Sequence, residues 1–279
     1  ELPIGSEASK DTILETIGKI IARAIGKADE QNLKVIGIGL GTPGIVYEGV
    51  IFGGADNLNG WENIDLAGHF SKAFNLPVRV DNDANLMGLG ELYYGAAKGC
   101  TDVVCLTVGT GIGGTIIANG QLYGGFKNRG TELGHIVVEH QGPDCNCGGK
   151  GCLEVYASTT ALVKHYAKLS GIDVKNLDGR YIVGKFHEQE ENAIICLQEH
   201  TDYLGHGVAS FINVFAPEKV VIGGGISAAG QFYIDMIATS AKKYMMSDCG
   251  SHTEIVAATL GNTAGSLGAA ALLLESVNS

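Results

Sequence analysis

The sequence predicts an α/β protein built on mixed sheets, and three observations carry that prediction. Apolar, β-rich runs alternate with helical patterns along the chain. One pair of runs reads as an antiparallel hairpin, which a purely parallel sheet lacks. No internal repeat or low-complexity segment interrupts the alternation.

The elements follow in order. Residues 11–29 place Ile13, Leu14, Ile17, Ile20, Ile21, Ala24 and Ile25 at helical spacing. KVIGIGLGTPG (34–44) reads as a buried strand ending in a Gly-Pro-Gly turn. An irregular stretch with ADNLNGW (55–61) and a short helix near 65–74 precede a strand at 76–83. A helix is expected over 84–98. DVVCLTVGTGIGGTIIANGQLYGG (102–125) is the hairpin, with a glycine turn between VVCLTV and GTIIA and a second turn at Asn119-Gly120. Helical patterns cover 154–170 and 189–215. A buried strand (219–225), a helix (227–246), a strand (254–261) and a last apolar helix (263–276) complete the chain.

Composition excludes several classes. The 279 residues are 45% hydrophobic, ample for a packed core. A net charge of −11 argues against a basic nucleic-acid or anionic-membrane face. No apolar run reaches the eighteen or so residues that span a bilayer. ELPIGSEASKDT has no signal-peptide pattern, so a cytoplasmic protein is the expectation. Clustered cysteines in a reducing compartment then point to metal or catalysis rather than to disulfides.

Four constellations carry candidate chemistry. VGTGIGG (108–114) is a glycine loop inside a hairpin rather than before a helix, which excludes the dinucleotide and Walker motifs. Its backbone amides, with Thr107 and Thr110, suit a polyanion, though a tight turn alone explains the glycines more simply. VIGGGIS (221–227) lies between strand and helix, where glycines admit a flat ligand or simply close packing. VDNDAN (80–85) sets Asn82, Asp83 and Asn85 at the carboxyl end of a strand. Asp83 there is either a general base or a helix N-cap. CNCGGKGC (145–152) supplies three thiolates in one loop, and tetrahedral zinc needs a fourth ligand, for which His135 and His140 both qualify.

Together and in this order these segments resemble the ROK family of bacterial sugar kinases and sugar-responsive repressors. The segments are GIGLGTPGIV (37–46), ADNLNGW, VDNDAN with Glu91, LTVGTGIGGTII (106–117), VVIGGGIS, and ELGHI followed by CNCGGKGCLE. The resemblance implies an actin-like ATPase (ribonuclease H-like) fold of two lobes. The first would span 1–98, rejoined by the last helix at 263–279, and the second 99–262. It implies ATP and Mg²⁺ as co-substrate and cofactor, and a hexose, glucose first, as the acceptor. Asp83 matches the catalytic base, and Asn57, Asn82, Glu132, His135 and Glu154 match sugar ligands. Gly109, Thr110, Gly111, Gly113 and Gly114 match a phosphate-binding segment, and Gly223, Gly224 and Gly225 an adenosine-binding one. Structural zinc would sit on His135, Cys145, Cys147 and Cys152. N-acetylhexosamine or fructose kinases and non-enzymatic repressors are the family alternatives, and a homodimer is the expected assembly.

Family kinases open with a strand and a D-x-G-x-T phosphate loop, whereas this sequence opens at ELPIGSEAS. The expectation is that a preceding unit of roughly 30 to 40 residues holds that loop. A helix-turn-helix in its place would mark a repressor and introduce a nucleic-acid partner.

Overall fold

The computed structural model describes residues 8–55 and 58–278. Helix α1 (Lys10–Glu30) starts where the Ser9 hydroxyl accepts the Thr12 N–H, and buries Ile13 and Ile21. Ile20 and Ala24, expected on the same face, are exposed instead. The predicted strand contracts to β1 (Ile38–Thr42). The stretch read as irregular holds a three-stranded antiparallel ribbon of β2 (Ile45–Tyr47), β3 (Val50–Gly53) and β4 (Ile64–Asp65). Buried Trp61 donates its indole N–H to Thr42 Oγ1 at 2.7 Å, anchoring the ribbon to the end of β1.

Helix α2 (Leu66–Phe74) is capped by Asp65 and leads into β5 (Val78–Asn82), which pairs parallel with β1. Helix α3 (Asp83–Tyr94) follows without a linker. It stops four residues short of the expected end, because Glu91 turns back on the chain. The fully buried Glu91 carboxylate accepts the backbone N–H groups of Ala96, Thr259 and Leu260 at 2.7–3.0 Å.

The large sheet begins with β6 (Val103–Val108), β7 (Ile112–Ala118) and β8 (Gln121–Tyr123), the predicted meander. Asn119 and Gly120 both take positive φ, as that turn demands. The single helix expected over 154–170 is two. Ser158 ends α4 (Leu153–Ala157) in an extended conformation, and its hydroxyl caps α5 (Thr159–Ser170). An unpredicted helix, α6 (Gly179–His187), precedes α7 (Glu191–Phe215). Then come β9 (Lys219–Gly223), α8 (Gln231–Tyr244), the short α9 (Ser247–Gly250), β10 (Glu254–Ala257) and α10 (Ala264–Asn278). Strand order is β10-β9-β6-β7-β8, with β10, β9 and β6 parallel and the rest antiparallel, so the sheet is mixed as expected.

One apolar core packs α4 to α8 against the large sheet, and a second joins α1, α2, β1, β5 and the ribbon. A third lies where α3 and α10 cross over the other face of the large sheet. Helix α3 is buried nearly all round from Ala84 to Leu92. Its crossing with α10 is so close that a Cβ on Gly268 would lie 1.7 Å from the Leu86 carbonyl oxygen. Glycine is required there for the backbones to touch. No helix among the described residues is long and apolar enough to cross a membrane.

Candidate active site

The junction of β5 and α3 places the first two site residues. Asn82, not Asp83, is the N-cap: its Oδ1 accepts the Ala84 N–H at 2.9 Å, and its Nδ2 donates to the Gly44 carbonyl at 3.0 Å. That corrects the cap reading of Asp83, which becomes the first helical residue. Its carboxylate also accepts the Ala84 N–H while opening into a cavity of about 480 Å³. The surrounding protein withdraws Asp83 from bulk water and pushes its pKa up, against the pull of that hydrogen bond.

Glu132, His135 and Glu154 reach the same cavity from the opposite side. Glu132 precedes, and His135 ends, a 3₁₀ turn (Leu133–His135) packed onto β7, where a Cβ on Gly114 would strike Leu133. Glu154 is the second residue of α4, and its Oε2 accepts the Ile112 N–H at 2.7 Å. A Cβ on Gly111 would lie 2.3 Å from that oxygen, so glycine at 111 leaves room for the Glu154 carboxylate.

The loop between His135 and Glu154 carries the cysteines. The ligand atoms of His135, Cys145, Cys147 and Cys152 all lie within 4.8 Å of one another. His135 Nδ1 is 3.6 Å from Cys145 Sγ, and Cys147 Sγ is 3.7 Å from Cys152 Sγ. Tetrahedral zinc with Zn–S near 2.3 Å and Zn–N near 2.0–2.1 Å requires ligand separations of about 3.6–3.8 Å, so this donor set fits zinc. His140 is exposed and faces Glu139 outside the cluster. Cys152 directly precedes α4, so the same clamp sets the direction of Glu154.

The expected glycine segment divides in two. Gly109, Thr110 and Gly111 form the turn, closed by the Gly109 N–H to the Gly111 carbonyl at 2.9 Å. Gly113 and Gly114 lie within β7, opposite Thr107 and Leu106, where their missing side chains admit Thr107 Oγ1 and Leu133. All five line the 480 Å³ cavity. Gly109 and Thr110 also line a second cavity of about 640 Å³, whose walls come from α5, α6 and the turn after β9, including Val163, Asp178, Arg180, Gly225 and Ile226. Gly223 is buried in β9 against Met87 and Ala258, and Gly224, with φ of +92°, lies against Val108 while bordering the first cavity. Of the three glycines, Gly225 alone lines the second. Asn57 lies outside the described residues.

Sequence reasoning missed Asp81 and Asn128. Asp81 Oδ1 accepts from Asn82 N, from Asn85 Nδ2 at 2.9 Å and from Asn128 Nδ2 at 3.2 Å. Burial raises the Asp81 pKa despite these bonds. The wall residues of α6 were missed with the helix itself. Two adjoining cavities share a glycine turn, and a carboxylate at a strand end borders the first, in the manner of the actin-like ATPase fold.

Residues 5–276 match the ROK family, and the chain belongs to it. It is 35% identical to a glucokinase of Thermotoga maritima, over 97% of this chain and 90% of that one. It superposes on the crystal structure of a ROK family glucokinase from Streptomyces griseus in complex with glucose and AMPPNP. That match has a TM-score of 0.83 and 30% identity, covering 96% of this chain and 89% of that one. It is also 29% identical to a xylose repressor of Bacillus subtilis, over 96% of this chain and 68% of that one.

Proposed function

We propose that the protein is an ATP-dependent sugar kinase that phosphorylates a hexose hydroxyl, converting glucose to glucose 6-phosphate. One observation carries this reading. The cavity lined by Asp83, Glu132, His135 and Glu154 meets a second, largely apolar-walled cavity at Gly109 and Thr110. A sugar in the first and a nucleotide in the second would face each other across amides suited to the transferred phosphoryl group.

In this reading the sugar hydroxyls are held by Asn82, Glu132, His135 and Glu154, with Asn57 completing the set. Each hydroxyl both donates and accepts, so carboxylates, amides and an imidazole give orientation and selectivity. Asp83 takes the proton of the attacking hydroxyl as the bond to phosphorus forms. Thr110 and Gly111 offer backbone N–H groups, and Thr110 a hydroxyl, to the phosphates, with Gly109 closing the turn and Gly113 and Gly114 keeping that wall thin. Gly223, Gly224 and Gly225 allow the nucleoside to approach the end of β9. Mg²⁺, carried in with ATP, would screen the phosphate charge. Zinc on His135, Cys145, Cys147 and Cys152 would fix the loop and the imidazole, leaving the second His135 nitrogen for the sugar.

The division into a lobe of 1–98 with 263–279 and a lobe of 99–262, the cytoplasmic location and the homodimer belong to the same proposal. The xylose repressors among the relatives support a second reading, a sugar-sensing regulator using the same cleft. A coupled assay for ADP release with a panel of hexoses separates the two. Turnover of glucose, with N-acetylhexosamines and fructose slower, is the expected outcome. Sugar binding without turnover of any hexose, in protein that carries the segment expected to hold D-x-G-x-T, would transfer the chain to the regulators.

A further inference from the structure

We propose that Asn128 is a positioning residue, holding the strand of chain that carries Glu132 against the β5 end that carries Asp83. The inference rests on the reading of Glu132 and His135 as sugar ligands.

Residues 124–131 bridge β8 and the Glu132 turn with little regular structure. The loop is closed on itself by the Gly130 N–H to the Gly124 carbonyl at 2.8 Å. It holds three non-glycine residues at positive φ: Lys127 (52°), Asn128 (56°) and Thr131 (65°). A β-branched threonine there is costly, and three such residues within five need external contacts to persist. Asn128 supplies those contacts. Its Nδ2 donates to the Val46 carbonyl of β2 at 2.8 Å and to Asp81 Oδ1 at 3.2 Å. Its Oδ1 occupies the space where a Cβ on Gly124 would stand, so glycine at 124 leaves room for the carboxamide. Beside it, the Arg129 guanidinium lies 5.7 Å from the Phe52 ring of β3, a second contact to the same ribbon.

Both partners of Asn128 lie on the other side of the cleft. Asp81 is bonded through the same oxygen to the Asn82 backbone and to Asn85, so it is continuous with the segment presenting Asp83. One amide therefore links the sugar-ligand wall to the base-bearing wall. Released, the loop would relax from its strained conformation, and Glu132 would lose its fixed distance from Asp83.

The test is the affinity for glucose and for ATP, each titrated by calorimetry, alongside turnover. Asn128→Ala and Asp81→Ala cut the same link from its two ends, by removing the donor and the acceptor, so failure of one to fold leaves the other. Each is expected to weaken glucose binding about tenfold while ATP affinity stays within about twofold. A fall in thermal stability with glucose affinity unchanged would assign these residues a structural role only, and equal losses for both ligands would overturn the inference too. Wild type carrying the expected D-x-G-x-T segment that binds glucose without turning it over sinks the kinase reading alone. Unchanged glucose affinity in both variants sinks the positioning role alone.

Discussion

The two walls of the cleft are built in opposite ways. The wall bearing Asn82 and Asp83 is the end of a parallel strand running directly into a helix buried on nearly all sides. The wall bearing Glu132, His135 and Glu154 has one 3₁₀ turn, a five-residue helix and a loop of seventeen glycine- and cysteine-rich positions between them. Apolar burial and a cap fix the first; a cysteine–histidine cluster and single polar anchors fix the second. A carboxylate that accepts a proton must be held close to the attacking hydroxyl, which favours the rigid wall. Ligands that discriminate among sugars can sit on a wall whose geometry is set by a few replaceable contacts.

The largest effect expected from this contrast is chemical and belongs to the rigid wall. Asp83→Asn keeps shape and helix contact but removes the proton acceptor. Turnover should fall by about 10²–10⁴ while glucose affinity stays within a few-fold. Assay of ADP release beside a sugar titration checks both halves. Retention of most of the turnover would exclude Asp83 as the base.

The next effect belongs to the other wall. Chelation of zinc from the site proposed on His135, Cys145, Cys147 and Cys152 should leave three thiols and an imidazole with no common partner, freeing both His135 and the start of α4. Sugar affinity is expected to drop about 10- to 100-fold, with a lower Tm. ATP affinity should change little, since the second cavity draws its walls from α5, α6 and the end of β9. Unchanged sugar affinity after verified metal loss would reduce the cluster to a loop staple and erase the contrast between the walls.

The same contrast explains what could be read in the sequence. Strands β1, β5, β6, β7, β9 and β10 are apolar runs bounded by turn residues, and they occur where expected. The β2–β4 ribbon was invisible because its strands have two to four residues and only partly buried faces, too short to show alternation. Helix α6 was hidden because Ile182 is its one buried side chain. The break at Ser158 depends on a hydroxyl cap that a continuous helical pattern masks. Among the site residues, the cysteine spacing announced a metal loop, but choosing His135 over His140 required either family resemblance or coordinates. Asp81 and Asn128 lie 47 positions apart, and no local pattern predicts a contact between an aspartate in a strand and an asparagine in a strained loop.

The smallest effect, on stability, distinguishes Asp83 as a functional residue from Asp83 as a helix-starting one. Its folded pKa is raised, chiefly by removal from water, so the folded state holds the proton more tightly than the unfolded chain. Stability then declines as pH rises from about 4, the ordinary carboxylate value, and the cost is fully present above the folded pKa. At neutral pH Asp83→Asn should therefore raise Tm even as it removes turnover. The advantage of the variant should shrink as pH is lowered and the wild-type carboxyl takes its proton. The same protonation removes the base, so the wild-type rate should fall with pH below that raised value, at a higher pH than an ordinary aspartate would give. Thermal melts of both proteins from pH 4 to 8, beside the pH–rate profile, measure the two together. A variant less stable than wild type at neutral pH would mean that the attraction of the negative charge to the N-terminus of α3 outweighs the cost of its burial. Asp83 would then support α3, as the cap reading first supposed, instead of holding a carboxylate at a cost in stability.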